Sequence, residues 1–256
     1  GRTPKVLYAD GSKKILDHGV LVMEYLPGHT MDYHTELMLA APCLADIHSV
    51  QIPESEEVLI HPQNPLKAIL KECEEMFKVY LESPLGDEEK KIYIRELLDL
   101  GWKREAETRL ESGYQCCINT ELNSTNFLIN GEGKSNYLID WEKPLFGNPA
   151  QDLGHFLAPT TTFWKTDVIL TSEEMEKFID AYTKAVGNRF KTDMIREHTH
   201  AFIPITCLRG ITWCAMAWVQ YQQPDKLIFN ESTFKKLNAY LDMDFLKNIR
   251  AYLELI

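Results

Sequence analysis

Between Cys117 and Ile129 the chain reads CINTELNSTNFLI, which sets the amides of Asn119, Asn123 and Asn126 and the carboxylate of Glu121 directly ahead of an apolar run. Phe127-Leu128-Ile129 is most simply a buried strand. Residues 126 to 130 and 136 to 141 read as the two strands of a hairpin closed by Gly131-Glu132-Gly133-Lys134. An antiparallel hairpin brings the start of its first strand beside the end of its second. Asn126 and Asp140 therefore converge, and Glu121 overlooks them from the loop that leads in. An amide oxygen and two acids make a hard, oxygen-only environment, suited to Mg²⁺ with its retained waters and phosphates and unsuited to zinc. The same residues equally suit an Asx-rich loop that only caps a hairpin, and taken alone they leave the two readings level.

The elements around this hairpin change character along the chain. PKVLYA (4 to 9) and ILDHGVLVMEY (15 to 25) read as strands of a short antiparallel unit, the second interrupted at Asp17-His18-Gly19 and ended by Leu26-Pro27-Gly28. Thr30 to about His48 has helical periodicity that Pro42 interrupts or restarts. Residues 64 to 81 form a cleaner helix, with Asn64 as cap and Pro65 in its first turn. Asp87 to Glu111 suggests one or two amphipathic helices, and Ser172 to Ile256 is helical, with breaks near Gly187-Asn188 and Gln223-Pro224-Asp225. There is no internal repeat and no low-complexity linker.

Composition narrows the classes. A formal charge of −11 over 256 residues offers no basic stripe for nucleic acid or an anionic membrane. No apolar run approaches the roughly 20 residues of a membrane span, and no signal segment opens the chain, so a soluble, cytoplasmic protein is expected. The six cysteines match neither a disulfide framework nor a zinc spacing and read as reduced, structural thiols. His198-Thr199-His200 reads as a polar helix turn rather than a metal site.

The hairpin segment resembles the catalytic loop of the aminoglycoside phosphotransferase and choline kinase superfamily, relatives of protein kinases, whose pattern is His-x-Asp-Leu-x-x-x-Asn followed by Ile-Asp-x-x. Here it stands as Asn119-Thr120-Glu121-Leu122-Asn123-Ser124-Thr125-Asn126, then Leu138-Ile139-Asp140-Trp141-Glu142. Gly147-Asn148-Pro149-Ala150-Gln151-Asp152-Leu153 resembles the family's Gly-Asp-Pro-x-x-Asp-Leu. Leu44-Ala45-Asp46-Ile47-His48 resembles its Leu-Ala-x-Leu-His helix, and Leu21 to Gly28, LVMEYLPG, its hinge. These matches run in the family's order over about residues 20 to 155.

The resemblance implies an α+β, protein-kinase-like phosphotransferase: a mainly helical carboxy-terminal lobe (28 to 256) bearing the catalytic hairpin, preceded by a remnant of the amino lobe (1 to 27). It implies ATP and Mg²⁺ as cofactors and a hydroxyl of a small molecule as acceptor. By position, Glu121 falls on the group that takes or orients the acceptor's proton, and Asn126 and Asp140 fall on the metal ligands. Asp152, with Asn119, supports the loop, the backbone of Glu24 and Leu26 meets adenine, and Leu128 and Ile139 lie beneath the ring. The pattern is departed from at Asn119, where the family has histidine, and at Glu121, one methylene longer than aspartate.

Upstream of the hinge the family has a phosphate-covering loop and a strand lysine paired with a helix glutamate. Only one hairpin precedes the hinge here, and the chain opens on Gly1, so a chain lacking most of the amino lobe is expected. It should transfer phosphate weakly or not at all alone, and its exposed hairpin should self-associate. CLRGITWCAMAWVQY, Cys207 to Tyr221, resembles the family's late aromatic helix, with Trp213 as the substrate candidate. Trp218 lies about 140° away around the helix, so the two cannot both face one pocket squarely. Aminoglycoside, choline or ethanolamine, and sugar-like acceptors all stay open. The rival reading is a non-catalytic, pseudokinase-like module that binds nucleotide or a partner.

Overall fold

The structure, a computed structural model, describes residues 1–52, 59–110, 113–223 and 229–254. Local chemistry starts its first helices where the sequence indicates. Asp32 accepts a hydrogen bond from the His34 N–H to open α1 (Tyr33–His48), and Asn64 accepts from Lys67 to open α2 (Pro65–Glu82), with Pro65 supplying a fixed φ at a position that needs no N–H. Asp87 caps α3 (Glu88–Glu107) in the same way, so the charged stretch is one helix; Glu111 lies outside the described residues.

Ahead of these, β1 (Val6–Asp10) and β2 (Val20–Met23) pair antiparallel, and residues 11 to 19 form their connection. The second strand is thus shorter than the expected 15 to 25, because Asp17-His18-Gly19 belongs to the turn. Leu7, Tyr8, Leu21, Val22 and Met23 of this ribbon are exposed. It joins the body through Arg2, whose carbonyl accepts from Leu138 N–H and whose guanidinium bonds Asp46 at 2.8 Å.

A three-stranded sheet of order β3-β5-β6 carries the hairpin: β3 (His29–Thr30), β5 (Phe127–Ile129) and β6 (Tyr137–Leu138). β3 was not anticipated, and it registers His29 against Ile129 and Thr30 against Leu128. Gly28, at φ +138, permits that approach, since a Cβ there would lie 2.9 Å from the Leu128 Cβ. A second unanticipated pair, β4 (Cys116–Ile118) with β7 (Leu145–Gly147), anchors both ends of the segment.

The remaining helices are α4 (Pro149–Leu157), α5 (Pro159–Thr166), α6 (Ser172–Val186), α7 (Ile195–Tyr221), α8 (Glu231–Tyr240) and α9 (Met243–Glu254). α7 is the axis of the core, packed by α2, α4, α5, α8 and α9. Contrary to the expectation that no segment is long enough to span a membrane, α7 is long and apolar enough by composition; 67% of its most apolar window is buried inside the protein. α1 also differs from expectation, running unbroken through Pro42. All six cysteines are free, and burial pushes the Cys43 and Cys73 thiols up to about 12.

Candidate active site

α4 supplies the post on which the polar loop rests. Asn148 caps the helix through the Ala150 N–H and Pro149 fills its first position, which brings Asp152 round in the first turn with no exposed surface. One oxygen of Asp152 accepts from Asn119 N–H at 2.8 Å and the other from Thr120 N–H at 2.7 Å. His48 Nε2 stands 3.2 Å from the same carboxylate, and its Nδ1 lies 2.8 Å from the Tyr182 hydroxyl. Charge-assisted bonds of this kind compensate a buried carboxylate and fix what they hold. Here they hold Thr120 at φ +72, a left-handed conformation unfavourable to a β-branched residue.

Asn119 then links this loop to the end of the hairpin. Its Nδ2 donates to the backbone carbonyl of Asp140 at 2.8 Å, and its Oδ1 accepts from Glu121 N–H at 3.1 Å. Asn126, in a short 3₁₀ turn ahead of β5, donates from Nδ2 to the Glu121 carbonyl at 3.3 Å. The carbonyl of Asn126 accepts from Ile139 N–H at 2.9 Å, so the residues before β5 and after β6 are neighbours, as the hairpin requires.

Asp140 lies one residue further on, exposed and at φ +66. Its carboxylate makes no hydrogen bond or ion pair among the described residues. Among the described residues the side-chain oxygen of Asn126 accepts only a long 3.4 Å contact from Thr125. Two hard oxygen donors, one strained and unpartnered, fit a divalent cation that takes its other ligands from water and phosphate.

The residues expected at adenine lie on and beside the hairpin strands and in the segment that leads into β3. The Glu24 N–H donates to the Lys5 carbonyl at 2.8 Å, which leaves only its carbonyl available for a ligand edge. The Leu26 backbone makes no hydrogen bond among the described residues, while its side chain is buried. Leu128 and Ile139 are half-buried, on and beside the sheet.

Glu121 lines a cavity of about 260 Å³ beside the loop. Its Oε1 is held by Arg209 Nη2 at 3.1 Å, with Lys143 Nζ at 3.7 Å; its other oxygen has no partner among the described residues. Arg209, on α7, is itself steadied by Glu72 of α2 at 2.9 Å. Burial opposes the Arg209 charge, but these carboxylates more than offset it, so its pKa lies above the ordinary guanidinium value. The cavity wall continues through Trp213 and Trp164, which meet edge to face with centroids 5.2 Å apart. Gly210 lets α5 approach: a Cβ there would fall 2.5 Å from the Thr160 Cβ. His155 also lines the cavity, and burial, then the Arg209 charge, push its pKa down to about 3.

Trp213 is thus at the cavity as expected. Trp218 points away, donating its indole N–H to Asn238 at 3.0 Å and meeting Tyr80 edge on. Sequence reasoning missed Lys143, His155 and Trp164. Arg209, one helical turn before Trp213, could by sequence meet either a substrate anion or an acid within the fold, and it meets Glu72 and Glu121.

A helical lobe with an oxygen-lined hairpin mouth and an open cavity beside the same loop has the architecture of a kinase-like phosphotransferase. The sequence matches the phosphotransferase enzyme family over residues 1–196, and the chain belongs to that family. Solved structures share its fold at low identity. Spectinomycin phosphotransferase in complex with ADP and spectinomycin is 15% identical, with a TM-score of 0.63 over 98% of this chain and 76% of that one. A choline/ethanolamine kinase family protein from Mesorhizobium loti is 16% identical (TM-score 0.60; 99% and 79%). Plasmodium vivax ethanolamine kinase is 16% identical (TM-score 0.63; 98% and 69%). No curated protein sequence matches the chain. The α+β, kinase-like fold expected from the loop pattern is the one observed.

Proposed function

We propose that the protein transfers the γ-phosphoryl group of ATP to a hydroxyl of a small molecule, with Mg²⁺ held by Asn126 and Asp140. The observation that carries this reading is Asp140, kept in a left-handed conformation, whose carboxylate has no partner among the described residues, near an amide oxygen that accepts one long contact there. The metal, when bound, supplies positive charge against the phosphate oxygens. The open carbonyl of Glu24 and the backbone of Leu26 orient the base, and Leu128 and Ile139 support its face. Glu121 takes the acceptor's proton on its free oxygen as the acceptor oxygen bonds to phosphorus and the bond to ADP breaks. Arg209 holds the other oxygen still, which compensates for the extra methylene of a glutamate.

The chemistry asks the protein for positioning and charge rather than for a covalent intermediate, and these residues supply both. The ion pairs on Glu121 also favour one second reading, a non-catalytic module in which that carboxylate is structural. The two separate on Asp140→Ala in the protein expressed from its complete gene. Loss of Mg-ATP-dependent phosphate transfer with the circular dichroism unchanged supports the enzyme. Activity indifferent to the substitution rejects it.

A further inference from the structure

The cavity beside Glu121 has walls that discriminate between acceptor classes. Its charged lining consists of Glu121 and Arg209, already bonded to each other. The charged groups next to these walls are Glu72, Lys143, Lys165, which lies 5.7 Å over the Trp164 ring, and the mutually paired Lys236 and Asp167 near Cys214 and Tyr240. In a chain of net charge −11 the cavity therefore has no uncompensated negative charge. An acceptor bearing several ammonium groups would find one neutralised carboxylate with a guanidinium 3.1 Å from it. A quaternary amine over the indoles would meet the same guanidinium and the Lys165 ammonium. An anionic acceptor gains little either, because Arg209 is engaged by two carboxylates.

What the cavity does offer is uncharged hydrogen bonding. Thr206 and Thr161 line it at 4% and 8% exposure, and neither hydroxyl makes a hydrogen bond among the described residues. The His155 ring is likewise without a partner there and, being neutral, presents one donor and one acceptor. Hydroxyls that open onto a cavity without a protein partner are met reciprocally by ligand hydroxyls. The two perpendicular indoles give flat apolar walls against which the carbon face of a ring can lie.

We infer that the cavity takes an uncharged, polyhydroxyl, sugar-like acceptor, bound by Thr161, Thr206 and His155 against Trp164 and Trp213, with one hydroxyl presented to Glu121. This rests on reading the cavity as the acceptor site of the phosphotransfer proposed above. Thr161, Thr206 and His155 are on that account binding residues, and Trp164 sets specificity by shape.

Binding tests it without requiring turnover. Tryptophan fluorescence of the protein is titrated with D-ribose, D-glucose and myo-inositol, and in parallel with choline, kanamycin and D-glycerate. At least one neutral polyol is expected to saturate about tenfold more tightly than every charged compound. Thr206→Val should weaken it by about tenfold, and Thr206→Ser should not. Thr161→Val gives an independent reading if Thr206→Val does not fold. Tighter binding of choline, kanamycin or glycerate, absence of saturable polyol binding, or polyol binding indifferent to both valine variants overturns the inference. Polyol binding that obeys the threonine dependence without transfer from Mg-ATP upholds this inference and rejects the phosphotransfer reading instead.

Discussion

Asn119 and Asp140 are joined by a single amide: Nδ2 of Asn119 donates to the Asp140 carbonyl at 2.8 Å, while Oδ1 of the same side chain accepts the Glu121 N–H at 3.1 Å. One side chain thus sets the spacing between the proposed base and a proposed metal ligand. An asparagine can do this because it has a donor and an acceptor on one short stem. Asn119→Ala removes both bonds and frees Asp140 to leave its left-handed conformation. We expect kcat to fall by about one to two orders of magnitude with the KM for Mg-ATP raised, since small misplacements of reacting groups cost on that scale. Asn119→His should lose less, because an imidazole N–H reaches the same carbonyl. Equal loss in both variants would argue that the link is not what places Asp140.

Arg209 bears on the same geometry from the other side. It connects Glu72 on α2 to Glu121 on the loop, at 2.9 and 3.1 Å, and leaves one Glu121 oxygen unbonded. Arg209→Ala should lower kcat about a hundredfold while the unfolding midpoint moves little, since the guanidinium's partners are partly exposed and can be hydrated. Arg209→Lys should recover part of the rate but not the geometry of a forked contact. A structural role alone would move the midpoint and spare kcat; steady-state kinetics beside urea unfolding tells the two apart.

The parts of this site that were legible in the sequence are those fixed by local chemistry. Asn64 and Pro65 start α2 because capping acts within one turn. The neighbourhood of Asn126 and Asp140 follows from a hairpin closed by Gly131-Glu132-Gly133-Lys134, since the turn fixes the register. Pro42 misleads because it sits on the exposed face of α1, where the carbonyl of Met38 that loses its donor reaches water. α4 was readable by the same rule and went unread: Asn148-Pro149 is the start signal that Asn64-Pro65 gives α2. The contact of Arg209 with Glu121 is a tertiary event between distant segments, and no spacing encodes it.

Asp152 offers a test of the post beneath the loop. Its two oxygens accept two backbone N–H groups in the interior, beside His48. Asp152→Asn keeps the volume but turns an amide N–H₂ toward one of those donors. We expect a loss of about 3 kcal/mol in unfolding free energy, read as a lower urea midpoint at unchanged slope. An unaltered midpoint would mean that the loop holds its strained Thr120 without this carboxylate.

His155 links the acceptor cavity to pH. Its folded pKa is pushed down to about 3 from 6.5 by burial and then by Arg209. Between those values the unfolded chain binds a proton at this ring and the folded chain does not, so stability is fully present above pH 6.5 and is lost as pH falls toward 3. By about pH 5 the loss from this group is about 2 kcal/mol. His155→Gln cannot titrate, so the difference in unfolding free energy between pH 7 and about pH 5 should be about 2 kcal/mol smaller in the variant. Other groups titrate identically in both proteins and cancel in the comparison. Parallel pH profiles would show that the ring takes up its proton as easily folded as unfolded, and that the cavity presents an imidazolium, not an imidazole, at mildly acid pH.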